Sequence, residues 1–133
     1  MAEEVLSNVY DYSVREKPVF ISSSHKDITK ISTEMLRIFF ETLKFNVSLF
    51  EEEDGSFTGT LEELDLIENA PSKENCLLFL LEAMKDYAQD FYNEFTLWSS
   101  APNRKKHIPY VLKILSSSDN QLLEDMICRN GKS

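Results

Sequence analysis

Two histidines, two cysteines and several carboxylate runs are the side chains of this 133-residue chain with catalytic or metal-binding chemistry. His25 lies in a polar turn and His107 ends the basic run Arg104-Lys105-Lys106-His107. With Cys76 and Cys128 they are the right donors for zinc, but the close pair that seeds such a site, CxxC or HxxxH, is absent. The expectation is surface histidines, packed or idle cysteines, no metal and no cofactor. Carboxylates crowd at Glu51 to Asp54 and again at Glu62, Glu63 and Asp65. A general acid and base need two of them held face to face, whereas charge runs beside a hairpin turn read as solvated loop. Gly55 and Gly59 are the only glycines before the tail, so no glycine-rich loop cradles phosphate, and no GxSxG nucleophile turn occurs. The residues point to binding and not to an enzyme.

Binding has better candidates. Tyr87, Phe91, Tyr92, Phe95 and Trp98 fall at helical spacing, which makes them core along most of a helix and a protein interface at its exposed end. Arg104-Lys105-Lys106-His107 is the one concentrated basic patch on a chain of net charge −9. It can touch phosphate, or bridge to the protein's own acidic face, and four residues favour the second. Tyr87, Phe91, Phe95, Trp98, Arg104 and Lys105 are therefore the candidate partner-binding residues. The acidic balance argues against broad nucleic-acid binding and suits solubility or a basic partner. No run reaches the length of a membrane span, and MAEEVLSN lacks the basic and apolar regions of a signal peptide. Cysteines this far apart form no disulfide framework, so a cytoplasmic protein is expected.

These residues need elements to hold them. Ser72 to Trp98 reads as one long helix, with Leu77, Leu80, Leu81, Met84, Ala88, Phe91, Phe95 and Trp98 recurring every three or four residues. Cys76 to Met84 is apolar nearly all round and is expected to be core. Ala2 to Val14 reads as a first helix, Pro18 to Ser22 and Asp27 to Ile31 as a hairpin, and Thr33 to Lys44 as a helix capped by Ser32. Alternation over Phe45 to Phe50, the turn signal Asp54-Gly55, a return over Ser56 to Leu61 and a strand at Leu64 to Ile67 predict three strands. Pro109 opens a short helix through Leu115. Asp119 opens another carrying Leu122, Leu123, Met126 and Ile127, and Arg129 to Ser133 reads as frayed. The predicted class is α+β: an N-terminal helix-hairpin-helix, then a three-stranded antiparallel sheet packed on a long helix, then two short C-terminal helices. Residues 1–44 and 45–133 are the expected parts.

The ordered pieces Lys17-Pro18-Val19-Phe20-Ile21, Ile31-Ser32-Thr33-Glu34 and Glu41-Thr42-Leu43 resemble the prevent-host-death (Phd/YefM) antitoxin domain. The segment EEDGSFTGTLEELDLIENAPSKENCLLFLLEAMKDYAQDFY is similar to HicB-like antitoxin domains. The combination, continuing through WSSAPNRKKHIPY, resembles a Phd-like antitoxin family of RelE/RelB-type systems over nearly the whole chain. The resemblance implies a non-enzymatic antitoxin that binds and blocks a RelE-like endoribonuclease toxin, dimerises, and represses its own operon. By the same resemblance Val5 to Leu43 is the dimerising and operator-facing part, with Arg15 and Lys17 its nearest basic groups. Met1-Ala2-Glu3-Glu4 departs from the pattern, placing acid where such domains open with a strand and a basic helix start. That departure bears on operator binding and leaves toxin binding untouched. A small acidic interaction protein of the immunity-inhibitor type, without a DNA role, is the alternative.

Overall fold

The computed structural model describes residues 17–130, which fall into two compact units divided between Glu41 and Thr42. In the first unit, β-prone VFIS and DITK form strands β1 (Val19–Ser22) and β2 (Asp27–Lys30), antiparallel, with Val19 opposite Lys30 and Ser22 opposite Asp27. The Ser23 hydroxyl closes the turn, accepting the Lys26 N–H at 3.0 Å and donating to the Lys26 carbonyl. Ser32 caps helix α1 (Thr33–Phe40) by accepting the Met35 N–H at 3.1 Å. Glu34 in its first turn and Arg37 in its last suit the helix dipole. The helix stops at Phe40, short of the expected Lys44. The described part of this unit therefore opens on strands and is not a helix-hairpin-helix; the helix expected over Ala2 to Val14 lies outside the described residues.

The second unit is built on period-two burial. Strand β3 (Phe45–Glu51) buries Phe45, Val47 and Leu49 on one face; β4 (Phe57–Leu61) and β5 (Leu66–Ala70) follow as an antiparallel meander. Gly55 makes the first turn with φ +89°, and the Asp54 carboxylate accepts the Ser56 N–H at 2.9 Å and its hydroxyl at 2.6 Å. Ser72 caps helix α2 (Lys73–Asn93) by accepting the Asn75 N–H at 3.1 Å. Cys76, Leu80, Leu81, Met84, Ala88 and Phe91 point inward from it. Leu78 and Phe79 do not: at 48% and 44% exposure they correct the expectation that Cys76 to Met84 is core all round.

The C-terminal third departs most from expectation. It runs through α3 (Phe95–Ser99), a 3-10 turn (Lys105–His107), α4 (Ile108–Leu115) and α5 (Asp119–Glu124). It then enters strand β6 (Met126–Asn130), which pairs parallel to β3 with Phe45 opposite Met126. The sheet is thus four-stranded and mixed, in the order β5-β4-β3-β6, and not three-stranded antiparallel. Five α-helices are present among the described residues. The cause of the strand is visible at Asp125, whose carbonyl accepts the Phe45 N–H at 2.9 Å. Its carboxylate pairs with buried Lys113 at 2.7 Å and with Lys44 at 2.8 Å, while Lys113 also donates to the Leu43 carbonyl at 2.6 Å. These bonds hold the residue before β6 beside the first residue of β3, so Met126 and Ile127 leave the helical path for the sheet edge. No helix among the described residues is long and apolar enough to cross a membrane.

Candidate functional site

A straight helix from Ser72 would separate Tyr87 and Trp98 by about 16 Å, eleven residues at 1.5 Å each. The chain instead breaks at Glu94 (φ −124°, ψ 50°) and restarts as α3, with no side-chain cap at the junction. The break returns Trp98 to the end of α2, its ring centroid 5.7 Å from Tyr87 and 5.8 Å from Phe91. Phe95 packs on Phe91 at 5.6 Å. Edge-on and tilted contacts of this kind bring the positive ring edge to a negative face.

Arg104 closes over this stack. Its guanidinium lies 4.9 Å from the Trp98 centroid and 5.5 Å from that of Tyr87, and it donates to the Tyr87 hydroxyl oxygen at 2.9 Å. The salt bridges among the described residues join Lys44 and Lys113 to Asp125, and Lys85 to Asp119. The basic run therefore does not bridge to the protein's acidic face there; Arg104 rests on aromatic faces instead.

The Tyr87 hydroxyl also lies 2.6 Å from His107 Nδ1. Two arrangements satisfy this contact: Tyr87 donating to Nδ1 with the ring proton on Nε2, or Nδ1–H donating to the phenol oxygen beside the Arg104 N–H. The ring is 2% exposed, and Nε2 meets no hydrogen-bond partner among the described residues. Burial, reinforced by the charges of Arg104 and Lys106 and opposed by Asp65, pushes His107 below its ordinary pKa and keeps the imidazole neutral.

These groups line a cleft of about 420 Å³. Leu64, Leu66 and Trp98 make its apolar walls; Asp65, Asn103, Arg104, Tyr87 and His107 supply its polar groups. Asp65 reaches its place through a left-handed backbone, φ 58°, in the turn between β4 and β5.

Of the residues singled out from sequence, the fold gathers Tyr87, Phe91, Phe95, Trp98 and Arg104. Phe91 is fully buried beneath the others, Phe95 is 38% exposed, and Lys105 is exposed on the 3-10 turn. Lys17 is exposed just before β1, and Arg15 lies outside the described residues. His107 is the residue that sequence reasoning missed, since a histidine in a basic run reads as surface. Its signal was the apolar helix start Ile108-Pro109-Tyr110-Val111 directly after it.

A family model described as antitoxin of toxin-antitoxin, RelE/RelB, TA system matches residues 1–128. A crystal structure from Syntrophomonas wolfei subsp. wolfei, described as an antitoxin part of a proposed toxin/antitoxin system, is similar at a TM-score of 0.85 and 30% identity. The similarity covers 96% of this chain and 93% of that one. No curated protein matches the chain. A match that runs from the first residue to within β6 takes in both units and the whole aromatic cleft, and the chain belongs to the PHD-like family of toxin–antitoxin antitoxins.

Proposed function

We propose that this antitoxin has no catalytic role and neutralises a RelE-type endoribonuclease in the cytoplasm by direct binding, through the corner where α2 meets α3. The observation that carries the reading is the exposure there: Tyr92, Phe95 and Leu97 are 60%, 38% and 67% exposed around the packed Tyr87–Phe91–Trp98 stack. Large apolar side chains on a rigid base, rimmed by Arg104 and Lys105, are what a protein interface offers. The net charge of −9 complements a basic ribonuclease and speeds encounter with it. In the first unit all eight residues of β1 and β2 are exposed, Phe20 at 76%. A two-stranded hairpin without a covered face is marginal in water, which favours a second copy of the chain on it. In this reading the N-terminal part has the Phd/YefM-like role of dimerisation and autorepression, with Arg15 and Lys17 toward operator DNA. The second part is the HicB-like one.

Co-expression with the product of the adjacent reading frame tests the central claim: the wild-type chain should co-purify with it and silence its RNA cleavage. Leu97→Glu should weaken inhibition at least about tenfold, the scale of one interface anchor. Full inhibition by both Leu97→Glu and Tyr92→Glu would sink the α2–α3 corner as the contact. Light scattering showing a monomer at micromolar concentration would remove the dimer, and unchanged mobility of upstream DNA at low salt would remove autorepression.

A further inference from the structure

We propose that the outward face of α2 docks a basic amphipathic helix of the partner toxin. The buried residues of α2, from Cys76 to Phe91, line one side of the helix and join the core. Leu78 and Phe79 lie on the other side, 48% and 44% exposed. At about 3.6 residues per turn, Glu74, Leu78, Phe79, Glu82, Asp86 and Asp90 fall within about 160° of the helix circumference, opposite the buried stripe. A face made only to meet water would be polar at 78 and 79. All four carboxylates are exposed, and none joins an ion pair among the described residues. The two lysines of the helix are engaged elsewhere: Lys73 lies 5.6 Å from the Phe57 ring centroid, and Lys85 pairs with Asp119 at 3.1 Å.

Charge decides the occupant. Glu74 and Glu82 stand one turn before and one turn after Leu78, and Asp86 and Asp90 continue the same row. From Glu74 to Asp90 the row is about 24 Å long, at about 1.5 Å per residue. A partner helix laid along it can set apolar side chains on Leu78 and Phe79 and place Lys or Arg against the carboxylates on either side. A second copy of the chain would bring carboxylate against carboxylate, and nucleic acid would be repelled in the same way. Tyr92, 60% exposed near the end of α2, makes this face continuous with the α2–α3 corner. The identity of the partner rests on the toxin-binding reading; the surface and the chemistry it selects do not.

The probe is a fluorescein-labelled peptide of leucine and lysine whose leucines form one helical stripe, titrated with the full chain at physiological ionic strength. Anisotropy should show saturable micromolar binding, and a peptide of the same composition with the stripe scrambled should bind at least about tenfold more weakly. Leu78→Gln/Phe79→Gln should cost the striped peptide at least about tenfold, the scale of interface anchors. Glutamine is a good helix former, so the substitutions leave α2 intact. Glu82→Gln/Asp86→Asn should weaken binding several-fold, whereas Glu51→Gln/Glu53→Gln, which removes equal charge from the β3–β4 hairpin, should match wild type. No saturable binding, wild-type affinity in the Leu78/Phe79 double variant, or equal losses from the two charge variants would each overturn the surface. A second arm uses the purified toxin. Displacement of bound toxin by the striped peptide supports the assignment. Toxin and peptide bound together overturn it and leave the toxin-binding reading standing. A toxin that does not bind the chain at all sinks that reading, and with it the toxin as occupant.

Discussion

At the residue scale, the Lys44–Asp125–Lys113 cluster is the most consequential polar feature outside the cleft. The side chains of Lys113 and Asp125 are 3% and 5% exposed, so each depends on the other for its charge. Burial works against the Asp125 carboxylate, yet hydrogen bonds from Lys113, Lys44 and Gln121 hold its pKa below the ordinary value. Asp125→Asn leaves the Lys113 ammonium buried against a neutral amide and should cost about 3 kcal/mol or more in urea unfolding. The pH dependence follows from the direction. A carboxylate depressed in the folded state contributes stability above its unfolded pKa, and that contribution is lost as pH falls through the folded value. His107, depressed by burial, adds an earlier loss: below about pH 6.5 the unfolded chain takes up a proton that the folded one refuses. Urea midpoints from about pH 8 down to about pH 3 should therefore fall in two stages, and Asp125→Asn should flatten only the lower one.

At the element scale, the packing of α2 on the sheet includes one unusually close approach. A Cβ at Gly59 of β4 would lie 2.8 Å from Cys76 Sγ and 3.0 Å from Leu80 Cδ1, both on α2, and 3.3 Å from Leu49 Cδ2 of β3. Gly59 has an ordinary backbone, so space and not conformation demands glycine. Gly59→Ala should therefore destabilise by about 1 to 3 kcal/mol, the cost of overpacking, and a midpoint equal to wild type would show that the helix gives way freely. The same helix carries its exposed aromatic end only because it breaks at Glu94. Its cap at Ser72 was legible from Ala70-Pro71-Ser72, but the break was not, since Glu94-Phe95-Thr96 contains neither glycine nor proline.

At the scale of the whole molecule, the buried apolar cluster from Phe45 to Met126 draws every member from the second unit. A fragment spanning residues 42–133 should therefore unfold cooperatively, with circular dichroism and Trp98 fluorescence transitions that coincide. A broad, non-coincident melt would show that residues 1–41 are needed to complete it. For the basic toxin partner proposed above, association with this strongly acidic chain should slow steeply as salt rises, while dissociation changes little.

What the sequence by itself determined is what neighbours in the chain determine. Period-two alternation in Phe45 to Phe50, the Asp54-Gly55 turn, the Ser32 and Ser72 caps and the three-to-four spacing of α2 all concern residues a few positions apart. The ordered pieces around Lys17-Pro18 and Glu41-Thr42-Leu43 pointed to the antitoxin family for the same reason: a motif is local. Tertiary structure decided the rest. The strand at Met126–Asn130 depends on a lysine 81 residues upstream of Asp125, and nothing in MICRN distinguishes a sheet edge from a helix end. The cleft depends on Tyr87 meeting His107 twenty residues away and Trp98 folding back across a helix break. Aromatic spacing showed that these side chains shared a helical stripe, but only packing could choose a histidine from a basic run, bury it, and leave its Nε2 without a hydrogen-bond partner among the described residues.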